Sequence, residues 1–382
     1  MNNTLGWGVL VIVVLAIAGY LVWGPSTGNQ LAEGPVKIGV ILPLTGDAAV
    51  YGEPAKNILQ LAADEINAAG GIDGNSIELI FEDAKCGGPG GANAAQKLVN
   101  VDGVKVIIGG FCSSESLAAV PIAEAAKVAM LSPGSSSPML TNVSAFFARN
   151  YPSDSTQGSV LANIAYTDKG WKKVAFIQEQ TDYALGVFTA FSDTFTGLGG
   201  TVTNEQFPTE NTDFRSIVSK VKGTNPDAVF LSTQTPAVTA RILVQMKQLG
   251  WKPNLLVADV VPGDPKTVSE NAEMLEGTLA AEFGVDLSNS KFAAMIAAYK
   301  AKHGDEPPYQ GYAQTEYDSV YIVSAAISAV GYDGEKIAKW LRSEVKGWEG
   351  AAGLVTIGEN GDPITGHRPE VIMGGKVVPY VK

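Results

Sequence analysis

Histidine is nearly absent from this chain of 382 residues, which contains only His303 and His367. Histidine is the usual side chain for proton transfer near neutral pH and a common metal ligand, so its scarcity argues against histidine-based catalysis and a His/Cys metal site. Neither a G-x-S-x-G elbow nor a Walker A loop is present, and the glycine-rich stretch 87–94 does not follow the strand-loop-helix order of a nucleotide site. We therefore predict no enzymatic activity, no cofactor and no metal.

Positive charge is also scarce. Lys and Arg number 27 against 39 Asp and Glu, which gives a net charge of −12. Such a surface repels nucleic acid and anionic lipid, so neither is predicted as a partner. The chain is nevertheless 46% hydrophobic and longer than one ordinary domain, which indicates a globular protein of two lobes.

Charge is missing altogether from the N-terminal stretch 5–23, over 19 residues. This length can cross a bilayer, and Trp7, Tyr20 and Trp23 lie near its ends like interface anchors. A cleaved secretory signal is the alternative, since residues 16–18 (Ala-Ile-Ala) have the small-x-small pattern of a cleavage site. We favour a retained anchor because no Lys or Arg precedes the apolar run. Tyr20 stands where a lipoprotein would need cysteine, which excludes a lipid anchor, and both remaining alternatives predict that the rest of the chain is exported.

Cys86 and Cys112 are the only two cysteines. An even count in an exported chain favours one disulfide, and no zinc-ligand spacing is present. The bridge would close a loop of about 26 residues and contribute roughly 3 kcal/mol on chain-entropy grounds. Two free buried thiols are the alternative.

Apolar runs of strand length alternate with helical patterns from Val36 onward. In the first series, strands are predicted at 36–44, 76–83, 104–110 and 129–134, with helices at 53–71, 92–100 and 115–128 between them. The alternation restarts after the turn-rich stretch 149–155. This order predicts an α/β fold of parallel, doubly wound sheets, and the restart predicts two lobes of the same architecture. Three helical stretches follow, and the tail 369–382 predicts a hairpin that turns at Gly374 and Gly375.

Two neighbouring strand ends carry serine-rich turns. The first is GGFCSSES (109–116) and the second is SPGSSSP (132–138). Ligands of open parallel sheets collect beyond the carboxyl ends of the strands, where helix N-termini also offer unpaired backbone N–H groups. Hydroxyl and N–H donors together suit a small anion, most simply a carboxylate. Serines that merely cap helices are the alternative.

The chain resembles the leucine/isoleucine/valine-binding proteins of branched-chain amino-acid ABC transporters. The resemblance begins with IGVILPLTGDAAVYGEPAKNILQLAADEINAAGGIDG (38–74) and covers nearly the whole chain from Val36. Five shorter motifs follow in family order and spacing: GFCSSES, LSPGSSSP, RNYPSDSTQG, QTDYALG and EYDSV. The family also has a cysteine pair in the positions of Cys86 and Cys112, which supports the disulfide.

This resemblance implies the type I periplasmic binding fold, in which two doubly wound parallel-sheet lobes are joined by a three-strand hinge. The first lobe would comprise residues 36–151 and 285–353. The second would comprise residues 152–284 and 354–382, while residues 1–35 would form the anchor or signal and its linker. The protein would be a monomer outside the cytoplasm that captures a small amino acid and delivers it to ABC permease subunits.

The resemblance also implies a ligand site. Ser113 and Ser136 would hold the ligand carboxylate, and the carbonyl group of Gly134, in the same loop as Ser135, would accept from its ammonium group. Asp259 would be the counter-charge of the ammonium, although Val-Val-Pro (260–262) replaces the glycine-rich turn that usually follows. The remaining predicted site residues are aromatic or wall-forming: Tyr51, Phe111 and Cys112 in the first lobe, Tyr183 in the second, and Tyr312 near a crossover.

The identity of the ligand stays open at this stage. Phe111 and the tyrosines favour an apolar side chain, such as that of a branched-chain or aromatic amino acid. Amides and urea-like molecules are alternatives within the same fold. A membrane-tethered sensor ectodomain is the alternative function, but only residues 1–4 precede the apolar run, which favours the transporter subunit.

Overall fold

The computed structural model describes residues 34–382. The predicted anchor or signal segment at 5–23 lies outside the described residues. Between residues 34 and 382, no helix is both long enough and apolar enough to cross a membrane.

A five-stranded sheet organises the first half of the described chain. Its strands are β1 (Val36–Leu42), β2 (Ile77–Asp83), β3 (Val106–Ile108), β4 (Ala129–Ser132) and β5 (Phe147–Arg149). They pair in the order β2-β1-β3-β4-β5, and every pairing is parallel. The central strands β3 and β4 are buried along their whole length, which explains why they read as continuous apolar runs rather than alternating patterns.

A seven-stranded sheet organises the second half. Its parallel strands are β6 (Lys173–Glu179), β7 (Thr201–Phe207), β8 (Ala228–Ser232), β9 (Leu255–Val257) and β10 (Leu279–Glu282). A short hairpin, β11 (Trp348–Gly350) and β12 (Gly353–Val355), stands apart, and the C-terminal hairpin, β13 (Arg368–Met373) and β14 (Lys376–Pro379), joins the second sheet. The order is β14-β13-β10-β9-β8-β6-β7, with the C-terminal hairpin antiparallel.

Twelve α-helices accompany the strands of the described chain. They are α1 (Ala49–Ala68), α2 (Gly88–Asn100), α3 (Ser113–Ala125), α4 (Asp154–Asn163), α5 (Asp182–Gly197), α6 (Arg215–Gly223), α7 (Pro236–Gln248), α8 (Pro265–Glu270), α9 (Ala272–Leu275), α10 (Ser290–His303), α11 (Gln310–Val330) and α12 (Gly334–Ser343). Helices α1–α3 and α10–α12 pack with the first sheet, and α4–α9 pack with the second. We call these two assemblies the first and the second lobe.

The chain passes between the two sheets three times. It crosses after β5, returns after β10 so that α11 packs on β3 and β4, and crosses again before β13. The predicted fold class, with two doubly wound lobes and a three-strand hinge, is therefore confirmed. The exact lobe boundaries given above stay a prediction.

The structure adds strands that the sequence patterns did not indicate. β5 has three residues at the edge of a turn-rich stretch, and β10 (Leu-Ala-Ala-Glu) contains two alanines, which have low strand propensity. α1 also begins at Ala49, before the predicted start at 53. It can begin there because Gly52 packs directly on the backbone: a Cβ atom at this position would lie 2.1 Å from the carbonyl oxygen of Pro43.

Candidate functional site

The first serine-rich turn connects β3 to α3 and presents Ser113 at the helix N-terminus. The cap is formed by Glu115, whose carboxylate accepts from the backbone N–H of Cys112 at 2.9 Å and from that of Cys86 at 2.8 Å. Burial raises the pKa of Glu115 to about 7. The Ser113 hydroxyl accepts from the backbone N–H of Ser137 at 3.1 Å. It therefore links the two serine-rich turns instead of capping its own helix.

The predicted disulfide is present in the structure. Cys86 and Cys112 are bonded across a sequence separation of 26 residues. Because Cys112 immediately precedes Ser113, the bridge fixes the first serine turn to the loop that begins α2.

The second serine-rich turn follows β4 and is held by a buried arginine. Arg149 donates to the carbonyl oxygens of Ser135 at 3.1 Å and Ser137 at 2.9 Å, and its Nε lies 2.7 Å from a carboxylate oxygen of Asp362. The Ser135 hydroxyl is within hydrogen-bond distance of the carbonyl oxygens of Gly110, at 2.9 Å, and Phe111, at 3.1 Å. These bonds lock the two turns into one rigid unit.

Asp259, at the end of β9, is the centre of the site. Its Oδ2 accepts from the hydroxyl of Tyr151 at 2.7 Å and from that of Tyr312 at 2.9 Å, while Oδ1 accepts from the hydroxyl of Tyr183. All four side chains are buried. Burial and the charge of Asp259 raise the pKa of each tyrosine well above its usual value, so the hydroxyls keep their protons and act as donors.

Asp154 and His367 lie beside Asp259. One ligand-type atom from each of the three residues is within 4.8 Å of the other two. Asp154 is 0% exposed and His367 is 6% exposed. Burial, and then the charge of Asp259, raises the pKa of Asp154 well above its usual value, whereas burial lowers the pKa of His367 to about 4. The imidazole is therefore neutral at physiological pH.

Aromatic rings cover one side of this centre. Tyr51 stacks on Phe111 with centroids 5.4 Å apart, and Phe111 meets the edge of Tyr312 at 5.1 Å. Tyr309 lies 4.7 Å from Tyr51. Gly134 leaves room for this wall, since a Cβ atom there would come within 2.8 Å of the Phe111 ring. The result is an apolar surface beside a buried set of donors and acceptors.

The structure brings the ten predicted site residues into one connected, buried cluster. They are Tyr51, Phe111, Cys112, Ser113, Gly134, Ser135, Ser136, Tyr183, Asp259 and Tyr312. Their role in binding stays a prediction. Sequence reasoning missed Tyr151, Asp154 and His367 as members. The motif RNYPSDSTQG contained the first two, but nothing in the sequence indicated that they would face Asp259.

Known proteins resemble this chain in both sequence and structure. The profile of the periplasmic binding protein family matches residues 35–368. The chain belongs to this family. Membership implies an extracytoplasmic location. The family consists of proteins that bind substrates and is not an enzyme family.

Similar proteins are found among both sequences and solved structures. An amino acid binding protein from Pseudomonas aeruginosa is 31% identical over 338 residues, which cover 86% of this chain and 87% of that protein. The leucine binding protein LivK from Thermotoga maritima superposes with a TM-score of 0.82 at 32% identity, covering 91% of this chain and 98% of that one. The substrate binding protein LivJ from Streptococcus pneumoniae, solved with isoleucine, gives a TM-score of 0.79 at 27% identity, covering 91% of this chain and 100% of that one.

Proposed function

We propose that this binding protein captures a small amino acid with an apolar side chain and delivers it to an ABC permease. One observation carries the proposal. The N-terminus of α3, with its hydrogen-bond donors, the buried carboxyl groups of Asp154 and Asp259, and the aromatic wall lie together in one site. A free α-amino acid has matching parts: an anion, a cation and a side chain. Buried charges are tolerated only when each is paired and hydrogen-bonded, which this arrangement provides.

The ligand carboxylate would bind at the two serine turns. Ser113 opens α3, whose first backbone N–H groups have no intrahelical partners and carry partial positive charge. Ser136 lies in the second turn and is also buried. Hydroxyl and backbone donors at this point would replace the water that the carboxylate loses on binding.

The ligand ammonium would bind between Asp259 and Asp154. Both oxygens of Asp259 already accept from tyrosine hydroxyls, so this carboxylate is oriented and can share its remaining lone pairs. Asp154 Oδ2, in contrast, is buried without a hydrogen-bond partner. Burial and the charge of Asp259 raise the pKa of Asp154 and so favour its neutral form in the empty site, whereas a ligand cation would favour the carboxylate and donate to its unpaired oxygen.

The ligand side chain would pack on the aromatic wall. Tyr51, Phe111 and Tyr312 pack on one another there, and the hydroxyl of Tyr51 donates to the carbonyl oxygen of Gln234 at 3.1 Å. A leucine, isoleucine, valine or phenylalanine side chain suits such a surface. The names of the similar proteins, which include leucine and isoleucine binders, support this choice.

Calorimetric titration of the purified protein with leucine, isoleucine, phenylalanine, acetamide and urea tests the proposal. We expect saturable binding of an apolar amino acid. Asp259→Asn and Asp154→Asn should each weaken it by about tenfold to a hundredfold or more, since a hydrogen bond to a charged group is worth about 1.5–3 kcal/mol. Asp213→Asn, which changes an exposed acid before α6, is the matched control and should bind like the wild type.

Two results would contradict the proposal. Binding of acetamide or urea without any amino acid would assign the site to another ligand class. Absence of binding by every ligand, in a protein that shows a cooperative thermal transition, would remove amino-acid capture as its function.

We further propose that residues 5–23 retain this protein at the membrane as an uncleaved anchor. Their uncharged length, which can cross a bilayer, supports this. Membrane fractionation of cells that express the full chain should recover the protein in the pellet after alkaline washing. Mature protein of lower mass in the soluble exported fraction would show a cleaved signal instead.

A further inference from the structure

Three buried groups in the site share one property: they accept hydrogen bonds. Asp154 Oδ2 and His367 Nε2 are both buried without a hydrogen-bond partner. Asp259 lies within the same 4.8 Å cluster. Without a ligand, the raised pKa of Asp154 favours its neutral form, whereas a cation placed beside the three groups would favour the carboxylate and supply the hydrogen-bond donors that Asp154 Oδ2 and His367 Nε2 lack.

The hydrogen bonds of Thr156 identify which nitrogen of His367 carries the proton. The Thr156 hydroxyl donates to the carbonyl oxygen of Ser153 at 2.9 Å, and its oxygen lies 2.7 Å from Nδ1 of His367. We assign the hydroxyl proton to the bond with Ser153, so that the oxygen accepts from Nδ1–H. In the neutral ring Nε2 is then the acceptor.

The spacing of the three acceptors accommodates an ammonium group. An ammonium nitrogen with three acceptors at about 2.8 Å in tetrahedral directions would hold them about 4.6 Å apart. The three groups lie within 4.8 Å of one another. A zinc ion, with ligands at about 2.0–2.2 Å, would need shorter separations of about 3.4 Å, which the same 4.8 Å limit also admits, so the choice between the two rests on the donors around Asp259. Asp259 is surrounded by tyrosine hydroxyls that point their protons at it, which suits a shared hydrogen-bond acceptor better than a metal ligand.

We infer that His367 Nε2 is the third acceptor of the ligand ammonium, and that it makes the site selective for primary ammonium over secondary amines. This inference rests on the proposed function. A primary ammonium has three N–H donors, one each for Asp154, Asp259 and His367. A secondary ammonium has two, so one buried acceptor stays unpaired and the methyl group must be placed among polar atoms.

Titration of the full chain with L-leucine and N-methyl-L-leucine tests the inference. The wild type should prefer leucine by about tenfold to a hundredfold, the range expected when a hydrogen bond to a charged group is lost. His367→Phe keeps a ring against Tyr151, which His367 contacts with centroids 6.0 Å apart, but has no nitrogen. In this variant leucine binding should weaken by about tenfold or more, while N-methyl-leucine binding should change less than about threefold. The preference for leucine over N-methyl-leucine should therefore be largely lost. His367→Gln, whose amide oxygen can reach the Nε2 position, should restore part of the preference.

The outcomes separate this inference from the proposed function. Equal weakening of both ligands by His367→Phe would indicate a structural role for His367 and overturn the inference, as would unchanged leucine binding. Binding of Zn²⁺ alone to the wild type at micromolar concentration, abolished by His367→Phe, would identify the cluster as a metal site and also overturn it. If leucine and the other amino acids do not bind the wild type at all, the proposed function fails and the inference fails with it.

Discussion

A single buried carboxyl group can make the free energy of unfolding depend on pH. Glu316, on α11, is buried, and burial raises the pKa of this carboxyl to about 8. Between the ordinary value of 4.5 and about 8, the folded protein keeps this proton while the unfolded chain loses it. The folded state therefore binds more protons over this window, so its free energy of unfolding falls as the pH rises.

Replacing Glu316 with Gln should remove this pH dependence. The amide has the shape of the protonated acid but no charge to desolvate. We expect Glu316→Gln to be more stable than the wild type at pH 8, by about 1–4 kcal/mol given about 1.4 kcal/mol per pKa unit as an upper guide. The stability gap should be much smaller at pH 5 and close below the ordinary value of 4.5, where Glu316 is protonated in both states of the chain. Glu335→Gln on the exposed face of α12 is the control, and thermal unfolding at both pH values is the measurement. A stability gap that is the same at pH 5 and pH 8 would contradict this account.

At the scale of elements, the parts that could be predicted are those that local patterns determine. The alternation of strands and helices, the two serine turns and the hairpin at Gly374–Gly375 each depend on neighbouring residues. Ser113 could be proposed because it lies between a recognisable strand and the start of a helix, whereas Tyr183 and Asp259 were implied by the family resemblance. The position of His367 could not, since its contact with Thr156 joins residues 211 positions apart. Only the third crossing of the chain brings them together, and no local pattern encodes it.

The ion pair between Arg149 on β5 and Asp362 in the loop before β13 also joins residues that are far apart in the sequence. Arg149 is fully buried, and Asp362 is its only ion-pair partner in the described part of the chain. Asp362→Ala would leave a buried charge without compensation, which typically costs about 3–5 kcal/mol. Chemical denaturation should show this loss. Asp213→Ala, which removes the exposed partner of Arg215, should leave the midpoint almost unchanged. Equal effects of the two substitutions would show that burial of Arg149 does not matter.

At the scale of the whole molecule, the two lobes meet through direct polar contacts. The backbone N–H of Asp182 in the second lobe donates to Ser114 of the first at 3.4 Å, and Arg241 pairs with Asp47 at 3.2 Å. Gly186 on α5 lies against the second serine turn. A Cβ atom at Gly186 would come within 2.7 Å of Cδ of Pro138 and 2.9 Å of the Ser137 hydroxyl oxygen. The described arrangement is thus the closed one, and it depends on the absence of a side chain at this position.

A side chain at position 186 should therefore hold the lobes apart. In Gly186→Leu each lobe keeps its own core, but the closed state is penalised, and apparent affinity falls in proportion to the fraction of closed molecules. We expect leucine binding to weaken by about tenfold or more. Gly197→Leu is the matched control, because it lies on the same helix with nothing within 4 Å of its Cβ position. Small-angle X-ray scattering with and without leucine should show compaction of the control and none of Gly186→Leu. If Gly186→Leu compacts and binds as tightly as the control, closure does not require the contact between α5 and the serine turn, and this account is wrong.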